Sequence, residues 1–129
     1  MKTRIARIRG FTLIELLIVL AIVGTLLTIA VPSYFASLDN AKETALKQSL
    51  SVMRSALDRY KGDTGKFPPS LDELVTAKYL RSIPADPITG AADQWVITTS
   101  GEPGQPTGVS DVHSGAPGNG KDGTPYASW

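Results

Sequence analysis

From Phe11 to Val31 the chain is apolar at nearly every position, interrupted only by Thr12, Glu15, Gly24, Thr25 and Thr28. A run of about 21 residues, rising about 1.5 Å per residue as a helix, matches the roughly 30 Å hydrocarbon core of a bilayer. The pattern therefore predicts one transmembrane helix over 11–32. Beyond Pro32 the apolar positions take up helical spacing: Tyr34, Leu38, Ala41, Ala45, Val52, Ala56 and Tyr60, with Leu46, Met53 and Leu57 on a neighbouring stripe. This predicts an amphipathic stalk helix over 33–61, with Pro32 kinking or interrupting the helix rather than ending it and Gly62 as the stop. The polar face carries Asp39, Lys42, Glu43, Lys47, Arg54, Asp58 and Arg59, with Glu43 and Lys47 at the favourable i, i+4 spacing. It reads either as a solvated surface or as a contact face for a partner.

Residues 62–129 carry a different pattern and form a small head. Ser70 followed by Glu73 is a capping box that opens a short helix to about Ala77. Asp86-Pro87 reads as a turn opener, with a turn at Gly90. Trp95–Thr99 and Gly108–His113 are strand-like, separated by a loop containing Gly101, Pro103, Gly104 and Pro106. The tail from Ser114 is rich in Gly and Pro, a composition that favours disorder, but Trp129 offers an aromatic that can pin it onto the sheet. The fold class is α+β: a long N-terminal helix, then a head with a short helix, a small antiparallel sheet and a Gly-rich C-terminal loop.

Composition narrows the function classes. The chain has 129 residues, and the roughly 90 after Pro32 allow one domain with a modest core. It has no cysteine, so neither a disulfide nor a thiolate metal site is available. The sequence contains no P-loop, G-x-S-x-G or H-E-x-x-H, and one histidine cannot build a multi-histidine metal site. His113 reads as a strand surface residue. These features argue against an enzyme. Formal charge is +1, from 13 basic and 12 acidic side chains; without Lys2, Arg4, Arg7 and Arg9 it becomes −3, which argues against nucleic-acid binding.

Those four basic residues precede Gly10-Phe11-Thr12-Leu13-Ile14-Glu15, and Pro32 follows the apolar run. An ordinary secretory signal has a shorter apolar region, about 7–15 residues, and a small-residue cleavage site behind it. The string here resembles instead the class III signal of the type IV pilin-like superfamily. That likeness implies a leader at 1–10, cut between Gly10 and Phe11 by a prepilin peptidase, and N-methylation of Phe11. The positive-inside rule keeps the leader end cytoplasmic and sends the head across the bacterial inner membrane into the periplasm. An ionisable group inside a spanning segment costs a few kcal/mol and by default has a partner. The resemblance implies that Glu15 pairs with the Phe11 amine of an adjacent subunit; the plainer reading is a carboxylate reaching for the head groups. The likeness also places an extensible stretch between Gly24 and Pro32, where small residues for close helix packing fit equally well.

Tyr60, Gly65, Phe67-Pro68 and Pro84-Ala85-Asp86-Pro87 look like the head of the major, G-type pseudopilins of type II secretion systems. This implies a homopolymer that works with other pseudopilins, an inner-membrane assembly platform and membrane lipid. A type IV pilin or minor pilin of a surface filament is the alternative, and a monomeric membrane-tethered binding module is the alternative from another class. In G-type pseudopilins the tail wraps calcium, a hard cation that takes six to eight oxygens. Asp111, Ser114, Gly123-Thr124 and Trp129 match that tail, but Pro125-Tyr126 stands where an acidic pair is usual, which leaves Asn119 and Asp122 to supply oxygens in its place. Calcium binding and a self-packed loop closed by Trp129 are both open on these residues.

Overall fold

The computed structural model describes residues 8–101, 103–104 and 106–129, so the leader residues Lys2, Arg4 and Arg7 lie outside the described residues. In chain order the elements are helix α1 (Leu13–Thr64), helix α2 (Leu71–Thr76), strands β1 (Trp95–Ser100) and β2 (Gly108–Ser114), and a 3-10 turn over Tyr126–Ser128. This is the expected α+β arrangement. Two compact units divide the chain between Leu38 and Asp39.

Helix α1 runs through Pro32 without interruption. Proline lacks the N–H that would bond the carbonyl four residues back. Nearby hydroxyls stay on the helix's own backbone: Thr25 Oγ1 donates to the Ala21 carbonyl at 2.8 Å and Thr28 Oγ1 to the Thr25 carbonyl at 2.6 Å. Gly24 to Pro32 is helical throughout in this single chain. The stop differs from the expected one. Gly62 lies within α1, and the chain leaves the helix at Gly65, whose φ of +76° is the left-handed conformation that glycine takes without strain. The Gly65 N–H reaches the Lys61 carbonyl at 2.8 Å, and Thr64 Oγ1 donates to the Tyr60 carbonyl at 2.7 Å.

In the first unit the large apolar side chains from Leu13 to Val31 are exposed, as suits residues whose partners are lipid or other chains. The core lies in the second unit. Leu46, Leu50, Met53, Ala56, Leu57 and Tyr60 of α1 pack with Leu74, Leu80, Trp95, Val109 and Val112. The buried stripe is rotated from the expected one: Val52 is 42% exposed, whereas Leu50 is buried. Leu46, Leu50, Met53 and Leu57 recur at steps of three and four, and the rest of the head covers only that face.

Short helix α2 is capped as its sequence predicts, with Ser70 Oγ accepting the Glu73 N–H at 3.4 Å. Strands β1 and β2 pair antiparallel, with Trp95 opposite Ser114 and Ile97 opposite Val112. A bulge at Thr98/Thr99 leaves Ser110 extra on β2, resetting the alternation so that Val109 and Val112 are both buried. Asp86 opens its turn as predicted: Oδ1 accepts the Ile88 N–H at 2.8 Å, and the Gly90 N–H bonds the Asp86 carbonyl at 2.7 Å. Its other oxygen takes the Ser114 hydroxyl at 2.5 Å, both residues being fully buried, which ties this turn to the end of β2.

Gly115 follows at a point where the chain passes directly over Gln94. A Cβ there would sit 1.9 Å from the Gln94 carbonyl oxygen, which as backbone cannot swing aside. Gly115→Ala is expected to destabilise the fold by about 1–3 kcal/mol, read as a lower melting temperature by circular dichroism. An unchanged melt would show that the strand ends separate freely.

Candidate functional site

Two sites follow from the predicted residues, one at the start of α1 and one in the tail. At the first, Gly10 and Phe11 are exposed and precede the helix. Thr12 then caps it: its Oγ1 accepts the Glu15 N–H at 3.2 Å, while Glu15 Oε2 accepts the Thr12 N–H at 3.0 Å and the Thr12 hydroxyl at 3.2 Å. This reciprocal pair is a capping box, and it satisfies donors that the first helical turn leaves without partners. It also places the Glu15 carboxylate beside the chain start, one turn from Phe11. Thr12 was not among the expected site residues, although Thr-x-x-Glu is the sequence signature of such a cap. Pro32 lies far along the same helix and takes no part in this group.

The tail folds onto the polar face of α1. Glu43 does not pair with Lys47; its Oε1 accepts the Lys121 N–H at 2.8 Å and the Tyr126 hydroxyl at 3.1 Å. Burial, and then the Glu43 carboxylate, push the Tyr126 hydroxyl above its ordinary pKa. Lys47 places its ammonium 4.6 Å from the centre of the Trp129 ring, which meets Tyr126 edge to face at 5.1 Å. Trp129 Nε1 donates to Thr124 Oγ1 at 2.7 Å. Gly120 lies under this ring, where a Cβ would come within 2.3 Å of the indole. Trp129 thus pins the tail as its position promised, with its ring under Lys47 of α1 and its main-chain oxygen against His113 of β2.

Arg54 joins the pieces. Its Nε donates to Asp111 Oδ1 at 2.8 Å, and its Nη2 donates to the Val112 carbonyl at 2.8 Å and to the Trp129 main-chain oxygen at 2.5 Å. His113, expected as a surface residue, lies between the same groups: Nδ1 is 2.8 Å from the Trp129 oxygen and Nε2 is 3.4 Å from Asp111 Oδ2. An oxygen acceptor at 2.8 Å fixes Nδ1 as the donor. Burial raises the Asp111 pKa, but the Val112 N–H and the Arg54 guanidinium outweigh it and hold the carboxyl below its ordinary value. Among the described residues, Arg54–Asp111 is the ion pair between permanently charged partners, and the His113–Asp111 contact becomes one only with a protonated imidazole.

The prokaryotic N-terminal methylation motif matches this chain over residues 5–31. Type II secretion system core protein G of Klebsiella michiganensis is 30% identical over 130 residues, covering 88% of this chain and 89% of that protein. The chain belongs to the type II secretion system core protein G family. The protein of the same name from Escherichia coli is 30% identical over 112 residues, covering 74% of this chain and 75% of its own. That of Pseudomonas aeruginosa is 34% identical over 94 residues, covering 60% and 66%. No solved structure gives a significant match. The matched motif spans Gly10, Phe11 and Glu15, and α1, which contains most of it, is long and apolar enough to cross a membrane once.

The calcium expectation meets a definite geometry, in which the side chains of Asp111, Ser114 and Asp122 are each bonded to different protein partners. Asp111 faces Arg54. Ser114 is fully buried against Asp86. Asp122 Oδ1 closes a local turn by accepting the Thr124 N–H at 3.0 Å and its hydroxyl at 2.6 Å, bonds that hold its carboxyl below the ordinary pKa. Asn119 forms a backbone bridge with Pro125. Among the described residues, no three Asp, Glu or His side chains are grouped as a metal site requires. A divalent cation brought to Asp111 would also meet the guanidinium. Their repulsion opposes the attraction of the cation to Asp111, and solvent at these partly exposed groups screens both. The donor set does not fit calcium.

Proposed function

We propose that this chain is the major structural subunit of a periplasmic pseudopilus, the polymer that drives protein export through a type II secretion system. Its role is structural rather than enzymatic. The supporting observation is the first unit of α1, where Leu13, Leu16, Leu17, Leu20, Leu27 and their neighbours bury nothing within their own chain and include a single ionisable group, Glu15. Such a segment serves as a membrane anchor before assembly and as polymer core afterwards. The prepilin peptidase cuts between Gly10 and Phe11, the new amine is methylated, and an inner-membrane platform adds subunits at the base alongside other pseudopilins. The basic leader stays cytoplasmic and the head faces the periplasm.

Deleting the gene and scoring enzymes in the culture supernatant beside surface filaments tests this reading. Loss of secreted enzymes with surface pili intact is the expected result, restored by the wild-type gene. Loss of surface pili alone would move the chain to the pilins. A variant that keeps full function when 11–32 is exchanged for an unrelated single-span anchor would mark a membrane-tethered module, because an unrelated helix cannot serve as the core of the polymer.

A further inference from the structure

We propose that Arg54 supplies, as a fixed side-chain cation, the positive charge that holds the C-terminal tail, so that the tail closes without a metal ion. The guanidinium is met by a carboxylate and two main-chain oxygens, from Asp111, Val112 and Trp129. Oxygens of this kind are what a hard cation gathers, and here the cation at their centre belongs to α1. Those partners lie 57, 58 and 75 residues away in sequence, so one side chain ties the helix, the second strand and the end of the tail together. The planar fork of N–H donors suits this task, since Nε and Nη2 point at different acceptors at the same time. His113 completes the ring of contacts between Asp111 and Trp129.

The rest of the tail is consistent with closure by side chains. Lys47 covers the Trp129 ring, Glu43 receives the Lys121 N–H, and the one remaining tail carboxylate, Asp122, is engaged by Thr124. Among the described residues, no three Asp, Glu or His side chains are grouped so as to hold an ion. This inference concerns the closure of the head and stands whether or not the chain polymerises.

The test uses the full chain in detergent micelles. Melting is followed by circular dichroism, and tail opening by the rate at which a lysine-specific protease cleaves after Lys121. Both readouts are taken with excess chelator and with excess calcium chloride. For the wild type, calcium and chelator are expected to give the same melting temperature and the same cleavage rate. Arg54→Met keeps the aliphatic stem but removes the donors; it is expected to lower the melting temperature by about 4–8 °C and to speed cleavage about tenfold, since cleavage follows the population of the open tail. Arg54→Lys retains the charge without the fork and is expected to behave like Arg54→Met. If the Met variant does not fold, Asp111→Asn, which weakens the same clamp from the other side, is expected to speed cleavage in the same way. A wild-type melting temperature that rises with calcium and falls with chelator overturns the proposal, as does cleavage that none of the three substitutions accelerates.

Discussion

Gly10→Val is expected to leave the leader on the protein and to abolish assembly. A peptidase that cuts beside residue 10 must seat that residue in a tight site, and a β-branched side chain there is both bulky and stiff. Folding is not the cause of the loss. Gly10 precedes α1, is exposed, and a Cβ built on it meets nothing within 4 Å. The variant should therefore accumulate in the membrane at wild-type abundance, longer by the leader, with a head that melts normally. Intact mass and amino-terminal sequencing read the outcome directly. Wild-type protein should begin at Phe11 and carry one added methyl group, whereas the variant should carry neither change. A wild-type mature protein beginning at Met1, or a Gly10→Val protein beginning at Phe11, contradicts the assignment of this bond.

The parts of the fold legible in the sequence are those specified by local chemistry. The Ser70 cap on the Glu73 N–H, the turn opened by Asp86, the two strands and the helix passing through Pro32 each depend on residues within a few positions of one another. Their physics is short-range, and they appear in the structure close to where the sequence places them. The end of α1 was harder to place because Gly62 and Gly65 are equally good helix stops by composition. What separates them is the left-handed backbone at Gly65, fixed by how the chain leaves toward Phe67. The buried face of α1 was ambiguous for a related reason: adjacent stripes are both apolar, and only the rest of the head decides that Leu50 turns inward and Val52 outward.

Long-range partnerships left no local trace. Arg54 sits in a charged face that reads equally well as solvated surface, and nothing near position 54 points to Asp111 or Trp129. The same holds for Ser114 and Asp86, which are 28 residues apart and meet only when the turn folds against β2. The family likeness points to the tail and to an ion within it. It did not reveal that α1 brings its own cation there. Thr12 differs, since its Thr-x-x-Glu capping signature is present in the sequence, and the carboxylate that carries the charge of the spanning segment also caps its helix.

That double role decides the expected outcome at Glu15. Glu15→Ala removes a charge from the spanning segment, which eases insertion, so the protein should remain abundant in the membrane. It also removes the Glu15 half of the capping box, the acceptor of the Thr12 N–H, while Thr12 Oγ1 still accepts the N–H of residue 15, so the first turn frays without unfolding the long helix. Neither effect predicts a failure of polymerisation. Pairing with the Phe11 amine of a neighbouring subunit does: breaking a buried ion pair by removing one partner costs about 3–5 kcal/mol, equivalent to more than about a hundredfold at each subunit addition. Glu15→Gln separates the two roles, because a glutamine oxygen can still accept the Thr12 N–H and preserve the capping box while the charge is gone. Both variants are expected to mature normally at Gly10 and to lose sheared or cross-linked filaments to a similar degree. Filaments restored by Glu15→Gln but not by Glu15→Ala would show that the cap, and not the charge, is what assembly requires.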